Sequence, residues 1–397
     1  APMRPAEMMP TPSRPGLPAP LPLPSLGLIP GPVPPTSLMP PMLSCLSGTV
    51  DWECPSGATS VGRVSTEPAP TPVPAPRSTD DAAVLTRSRA ELAAVLADAP
   101  GPRAVVMTMG ALHEGHFDLV REAARRVGPV GTVVVTIFVN PLQFAPTEDL
   151  DSYPRDLEGD LAGLTRTLTG ADGALSAGRL VVFAPTPEVI YPAGQPAVRI
   201  DPGPVATVLE GRTRPTHFAG VCQVVLTLMH LTAPRWALFG RKDAQQLAII
   251  ESMVRDLAVP LEIVPVDIRR ESDGLAMSSR NSYLSPEQRR QALALSRALQ
   301  AGRDAAAQAT GSRPDPAAIR QAALASLEAA DGVEIDYVAL VAPDSFEDLT
   351  GAGLGLPRSE PAGEDEEEEL PAVGLLAVAA RVGTTRLIDN TLIDLRP

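Results

Sequence analysis

Two of the four histidines in this 397-residue chain, His113 and His116, stand three positions apart beside Gly110 and Gly115. Residues three apart share one side of a helical turn, so both imidazoles can face a single ligand. They follow the apolar run Ala104, Val105 and Val106, which has the composition of a buried parallel strand. They precede 117–126, whose apolar spacing is that of a helix. A glycine turn from strand end to helix start collects phosphate in α/β proteins, because free N–H groups and the positive dipole end point there. Histidines that only cap a helix and satisfy loop carbonyls are the plain alternative. Zinc fits poorly: His113-Glu114-Gly115-His116 lacks the His-Glu-x-x-His spacing, and no cysteine lies nearby.

A second cationic turn is marked by composition. The chain has 33 basic residues, and only Lys242 among them is a lysine. It sits in Gly240-Arg241-Lys242-Asp243, again just past an apolar strand, 236–239, and just before a helix. Where arginine has replaced lysine everywhere else, a retained ammonium suggests a flexible point charge that must reach a phosphate. A third run, Met277-Ser278-Ser279-Arg280, offers two hydroxyls and a guanidinium to phosphate oxygens.

The elements that would carry these groups follow from hydrophobic period. A helix is expected over 82–96 and a strand over 131–139, whose β-branched run marks a central strand buried on both faces. Asn140 and Gln143 stand directly after it, at the carboxyl edge where open α/β sheets bind ligands. A helix over 156–168 would carry Asp160, and 180–183 would be another strand. A polar loop over 209–221, with Arg212, Arg214 and His217, would contact an anion and run into a helix over 221–231. A strand over 261–266 comes next; Ser285-Pro286-Glu287-Gln288 starts a helix over 287–308, and 316–330 is another. Strands over 335–341, 374–381 and 385–388 then imply a small α+β unit. The expected class is α/β: a Rossmann-like doubly wound parallel sheet over 81–272, and a smaller C-terminal α+β domain over 273–397 with an acidic loop at 351–371. Residues 1–80 hold 21 of the 45 prolines, a composition that disfavours a packed core and predicts a disordered tail rather than a signal sequence.

Bulk charge narrows the partners. Forty-seven acidic residues give a formal net charge of −14, which argues against a nucleic-acid surface, although seven of those acids crowd into 360–369. No apolar run approaches membrane-spanning length. Three cysteines form no disulfide framework, so a reducing cytoplasm is expected.

Taken in order, His113-Glu114-Gly115-His116, Asn140-Pro141-Leu142-Gln143-Phe144, Arg214-Pro215-Thr216-His217-Phe218, Gly240–Asp243 and Met277–Arg280 resemble the pantoate–β-alanine ligase (pantothenate synthetase) family of HIGH-type nucleotidyltransferases. Gly383 to Asn390 resumes the likeness. The resemblance implies ATP-dependent joining of pantoate and β-alanine through a pantoyl adenylate, with ATP and Mg²⁺ required and a homodimer as the assembly. It implies that Met109, Gly110, Ala111, Leu112, His113, Glu114, Gly115 and His116 form an ATP-binding turn, with His116 as proton donor and His113 as a second phosphate contact. Gly240, Arg241, Lys242 and Asp243 would complete the nucleotide site, with Lys242 on the phosphates and Arg269 on the adenine side. Met277, Ser278, Ser279 and Arg280 would be a phosphate clamp. Gln143 and Gln246 would hold pantoate, and Gln143 would also approach β-alanine. Asp160 is the candidate metal contact. Two positions depart from the family pattern: Gly159 stands where relatives often carry an acid, and Arg269 where they are commonly apolar. A different HIGH-type enzyme that makes a dinucleotide, and a non-catalytic nucleotide-binding protein, are the competing readings. The Asn140–Phe144 motif opposes the first, and the complete set of histidines, lysine and Ser-Ser-Arg opposes the second.

Overall fold

A computed structural model describes residues 83–99, 101–145, 148, 150–170, 173, 175–309, 311–351 and 370–397. The proline-rich tail and nearly all of the acidic loop lie outside the described residues.

Six strands form the first sheet: β1 (Ala83–Thr86), β2 (Arg103–Thr108), β3 (Thr132–Ile137), β4 (Arg179–Phe183), β5 (Trp236–Gly240) and β6 (Glu262–Val266). They pair in the order β1-β4-β3-β2-β5-β6, every pair parallel. The helices between them are α1 (Arg89–Ala97), α2 (Glu114–Val127), α3 (Leu157–Leu168), the short α4 (Pro187–Ile190) and α5 (Glu210–Thr213), α6 (His217–Thr232) and α7 (Ala244–Asp256). Helices cover both faces, which is why the inner strands carry unbroken apolar runs. Val133, Val134 and Val135 of β3 are fully buried, worth about 1.5–3 kcal/mol each on the usual scale of side-chain burial.

From β2 the chain moves through β3 to β4 on one side, and later through β5 to β6 on the other. The connections after β2 and β5 therefore leave in opposite directions, opening a crevice between the carboxyl ends of two neighbouring strands. The pairing Val106 with Leu238 sets those two ends side by side.

The remaining elements are α8 (Pro286–Ala307), α9 (Pro316–Glu328) and an antiparallel sheet of β7 (Val333–Val341), β8 (Val373–Val382) and β9 (Thr385–Asp394), in that order. Leu295, Leu299, Ile319 and Leu327 of the two helices pack on Val338, Leu340, Leu376 and Val378. The opposite face, with Tyr337, Ala339, Leu375 and Ala377, shares a core cluster with Val208, Leu209 and Ala248 of the parallel half. Arg386 spans Glu210 at 2.7 Å through both terminal nitrogens, and Tyr337 donates to the same carboxylate at 2.8 Å. The two sheets are thus stitched together by apolar burial and by a paired, mostly buried charge cluster.

Three expected boundaries differ. The helix over 82–96 is a strand, β1, followed by α1. Ser88 and Glu91 form a capping box that fixes the helix start, and 83–86 pair with β4 instead. The loop over 209–221 contains α5, and α6 begins at His217, four residues early. Thr216 provides no side-chain cap, so the start lacks a local signal. Finally β9 continues past 388 to Asp394; Asp389 and Asn390 interrupt the apolar pattern, but both are buried and bonded.

Candidate active site

The turn after β2 is built by left-handed backbone. Gly110 (φ 88°) and Ala111 (φ 51°) are consecutive positive-φ residues, a conformation that aims successive N–H groups at one point. That point is occupied by the protein itself: Asp160 of α3 accepts from Ala111 N at 3.0 Å and from Leu112 N at 2.7 Å. A side chain at Gly110 would meet the same carboxylate. Burial raises the Asp160 pKa against the pull of those two bonds.

The N–H groups that the sequence offered to phosphate are therefore largely consumed. His113 N donates to His116 Nδ1 (3.3 Å), and Gly115 N donates to His113 Nδ1 (3.2 Å). Each neutral ring, with its Nδ1 accepting, must carry its proton on Nε2. The rings lie 4.1 Å apart, sharing one side of the turn. Burial, then the neighbouring His113, pushes His116 down to about 3. Burial and Lys242 likewise lower His113. What the turn presents is a pair of neutral imidazole N–H donors at a helix N-terminus, rather than bare backbone amides.

The turn after β5 is of another kind. Arg241–Asp243 form one 3-10 turn between β5 and α7, and neither Gly240 nor Asp243 caps it with a side chain. Lys242 and Asp243 are near enough to the histidines to bias both charges: Lys242 lowers the two imidazoles, and Asp243 raises His116. Lys242, Asp243 and Gln246 line a cleft of about 490 Å³ together with Ser278 and Arg280. The far wall comes from the antiparallel half, including Tyr337, Thr385 and Asn390. Ser278 Oγ accepts from Arg280 N, which folds the Ser-Ser-Arg run into a tight turn on the cleft wall.

Gln143 is buried beside the cleft on a 3-10 turn over Pro141–Gln143. Its amide is oriented by a relay: Tyr191 Oη donates to Asn140 Oδ1 (2.9 Å), Asn140 Nδ2 to Gln143 Oε1 (3.2 Å), and Gln143 Nε2 to Met109 Sδ (3.1 Å). The amide nitrogen, with a second hydrogen to give, thus belongs to the histidine turn's side of the pocket. Asn140 Nδ2 also reaches Gly220 O, and a Cβ on Gly220 would strike Leu142 O at 2.3 Å, so α6 can pack here only through glycine.

Arg214 and His217 do not form the free anion contact expected of them. Arg214 is paired with Glu148 at 2.6 Å, and His217, pushed by burial and Arg214 down to about 4, approaches Gln143 O with Nδ1 at 3.0 Å. Both line the cleft, where they brace Gln143. Arg212 is exposed. Arg269, also exposed, pairs with Asp118 at 3.3 Å, and its carbonyl accepts from Met277 N.

Asp160 has both oxygens engaged by backbone, and no group of three metal-ligating side chains occurs among the described residues. No helix among the described residues is long and apolar enough to cross a membrane. What sequence reasoning missed are the supporting roles: Asp160 under the histidine turn, Asn140 and Tyr191 behind Gln143, and Asp389 with Asn390 behind the lysine turn. A carboxylate on a helix after the sheet edge was visible for Asp160; its partners were not.

Comparison with known proteins bears on the whole arrangement. A family model described as pantoate-beta-alanine ligase matches residues 84–392. A pantothenate synthetase of Nocardioides sp. is 48% identical over 315 residues, covering 78% of this chain and 85% of that protein. Pantothenate synthetase 4 of Frankia alni is 52% identical over 288 residues, 72% of this chain and 82% of its own. The crystal structure of pantothenate synthetase from Thermus thermophilus superposes with a TM-score of 0.66 at 40% identity, covering 79% of this chain and all of that one. The ligase of Francisella tularensis, solved with beta-gamma ATP and beta-alanine, gives 0.56 at 27% identity, over 78% and 98% of the chains.

Proposed function

The chain belongs to the pantoate–β-alanine ligase family, and from that premise we propose how its residues divide the work of joining pantoate to β-alanine with ATP. In the first half-reaction a carboxylate oxygen of pantoate attacks the α-phosphorus of ATP. The bond to the bridging oxygen breaks and diphosphate leaves with the electron pair. In the second, the free amine of β-alanine attacks the acyl carbon, AMP departs, and the amine proton is released.

The observation that carries the assignment is the pair of adjacent neutral imidazoles whose Nδ1 atoms are each held by backbone, which leaves the proton of each ring on Nε2 as a donor. Neutral donors can stabilise charge developing on an α-phosphoryl oxygen without first forming a tight ion pair with ground-state ATP. Interactions that strengthen only in the transition state are those that raise turnover. His116 and His113 take that role; Met109–His116 and Gly240–Asp243 flank the nucleotide, with Lys242 on its phosphates. Ser278, Ser279 and Arg280 close on the departing diphosphate. Gln143 and Gln246 hold pantoate, a neutral pair suited to an anionic substrate because neither side chain sets a negative charge beside it. Mg²⁺ enters as part of the nucleotide substrate, since it binds mainly through phosphate oxygens and few protein ligands. We place the enzyme in the cytoplasm as a homodimer, after the pattern expected for the family.

Release of AMP that requires pantoate and β-alanine together tests the assignment. AMP formed without β-alanine, or with an unrelated nucleotide-transfer acceptor, would assign the site to another reaction.

A further inference from the structure

The lysine turn lacks side-chain caps of its own, yet its backbone is held. Asn390, on β9 and only 6% exposed, donates from one Nδ2 to Arg241 O at 3.0 Å and to Lys242 O at 2.8 Å. Both hydrogens of one buried amide go to the two carbonyls that flank the Cα of Lys242. The orientation of that amide is fixed in turn. Its own backbone N–H donates to Asp389 Oδ1 at 2.8 Å, and Asp389 takes the Arg270 guanidinium through two bonds of 2.7 and 3.0 Å. Arg270 also reaches Gly274 O, and its isolated bridge with Ala276 adjoins the start of the Met277–Arg280 run. Two adjacent residues on one strand therefore hold the lysine turn directly and, through Arg270, the isolated bridge before Met277.

We infer that Asn390 is a positioning residue for Lys242, setting where the ammonium stands relative to the reacting phosphates; this rests on the ligase reading of the same site. An amide is suited to the task because two carbonyl acceptors need two donors from one side chain, and no hydroxyl or carboxylate supplies both. The choice of strand matters too. Asn390 comes from the antiparallel half, so the lysine is correctly placed only when that half is docked. The predicted consequence is confined to chemistry at phosphorus. Attack on the acyl carbon of a preformed adenylate has no diphosphate to hold and does not need Lys242 in register.

The test separates the half-reactions in the full-length enzyme. Diphosphate release from ATP and pantoate, without β-alanine, reports the first; AMP release from synthetic pantoyl adenylate and β-alanine reports the second. Asn390→Ala is expected to slow the first about 10²-fold, the scale of a small misplacement of a catalytic group, and to leave the second within about twofold. Asn390→Asp, which turns an acceptor against two carbonyls, should be slower still in the first step. Asn390→Ser, which keeps one donor, should fall between wild type and alanine, and serves if the alanine variant does not fold. Ile393→Val on the same strand, a core change touching neither loop, should alter neither step. Equal loss in both half-reactions, or an unchanged first step, overturns the inference. A wild-type enzyme that performs neither step would instead overturn the ligase assignment itself.

Discussion

The two glycine turns at the crevice look alike in outline and are held in different ways. Each follows a parallel strand, and each opens a helix. The histidine turn is secured from within the parallel half: its amides close on Asp160, and its two imidazoles cap the backbone of His113 and Gly115. The lysine turn has no such internal closure, and its carbonyls hang from Asn390 of the other sheet. The difference follows from what each presents. Neutral imidazoles with lowered pKa values need fixed tautomers, which short backbone bonds supply. An ammonium on a flexible stem needs only its base anchored, and an anchor from across the cleft makes its position depend on the docking of the two halves.

The largest effect that could break this comparison lies in the histidine turn. His116→Ala should cut adenylate formation by ~10²–10³, or roughly 3–4 kcal/mol, with a much smaller change in ATP affinity. Single-turnover diphosphate release measures the first and calorimetry the second. Near-normal release would mean that the imidazole is only a cap.

Next in size is Lys242→Arg. It keeps the charge but lengthens the group and replaces three mobile donors with a planar fork, so adenylation should drop by about 10- to 100-fold. An unaltered rate would make the turn merely electropositive and strip the comparison of its second term.

A smaller and purely structural change comes from Asp160→Asn. The shape survives, but one of two charge-assisted acceptors becomes an amide facing a backbone N–H. Stability should fall by about 1.5–3 kcal/mol, read as a lower urea midpoint. Unchanged unfolding would show that Ala111 and Leu112 do not depend on this carboxylate.

The smallest effect is on pH. His116 and His217 titrate in the fold at about 3 and about 4, below the ordinary 6.5, so the unfolded chain takes up their protons first. Stability from this source is full above about pH 6.5 and falls as the pH drops toward the folded values, by about 1 kcal/mol per histidine between about pH 7.5 and 6. Urea midpoints at those two values that coincide would contradict the buried, neutral state of both rings.

The same contrast explains what was legible in the sequence. The parallel strands, the histidine turn and the capping box at Ser285 and Gln288 could be read directly, because apolar period and short-range bonds define them. Residues 83–86 were lost to a helix assignment because a four-residue edge strand has no periodicity of its own and exists by pairing with β4. Arg214 and His217 were expected to meet an anion; only the fold brings Glu148 and the Gln143 carbonyl to them. Asp160 was visible as a carboxylate, but its use as a brace depends on a turn 48 and 49 residues earlier. The end of β9 was misjudged for the reason that makes it matter. Asp389 and Asn390 break the apolar alternation because their partners are loops 119 and 149 residues away in the chain.

The placement of Asn390 on β9 has one more consequence, for motion. β9 lies at the edge of its sheet and pairs only with β8. Edge strands open in local fluctuations without the rest of the molecule unfolding. Each such opening releases the carbonyls of Arg241 and Lys242, whereas the histidine turn keeps its bonds. In hydrogen exchange, the Asn390 side-chain amide that those carbonyls accept from should therefore share the protection of β9, and the His113 and Gly115 backbone amides should be protected independently of it. The site would then lose its lysine register intermittently while its histidines stay set, an idling state reached without global unfolding.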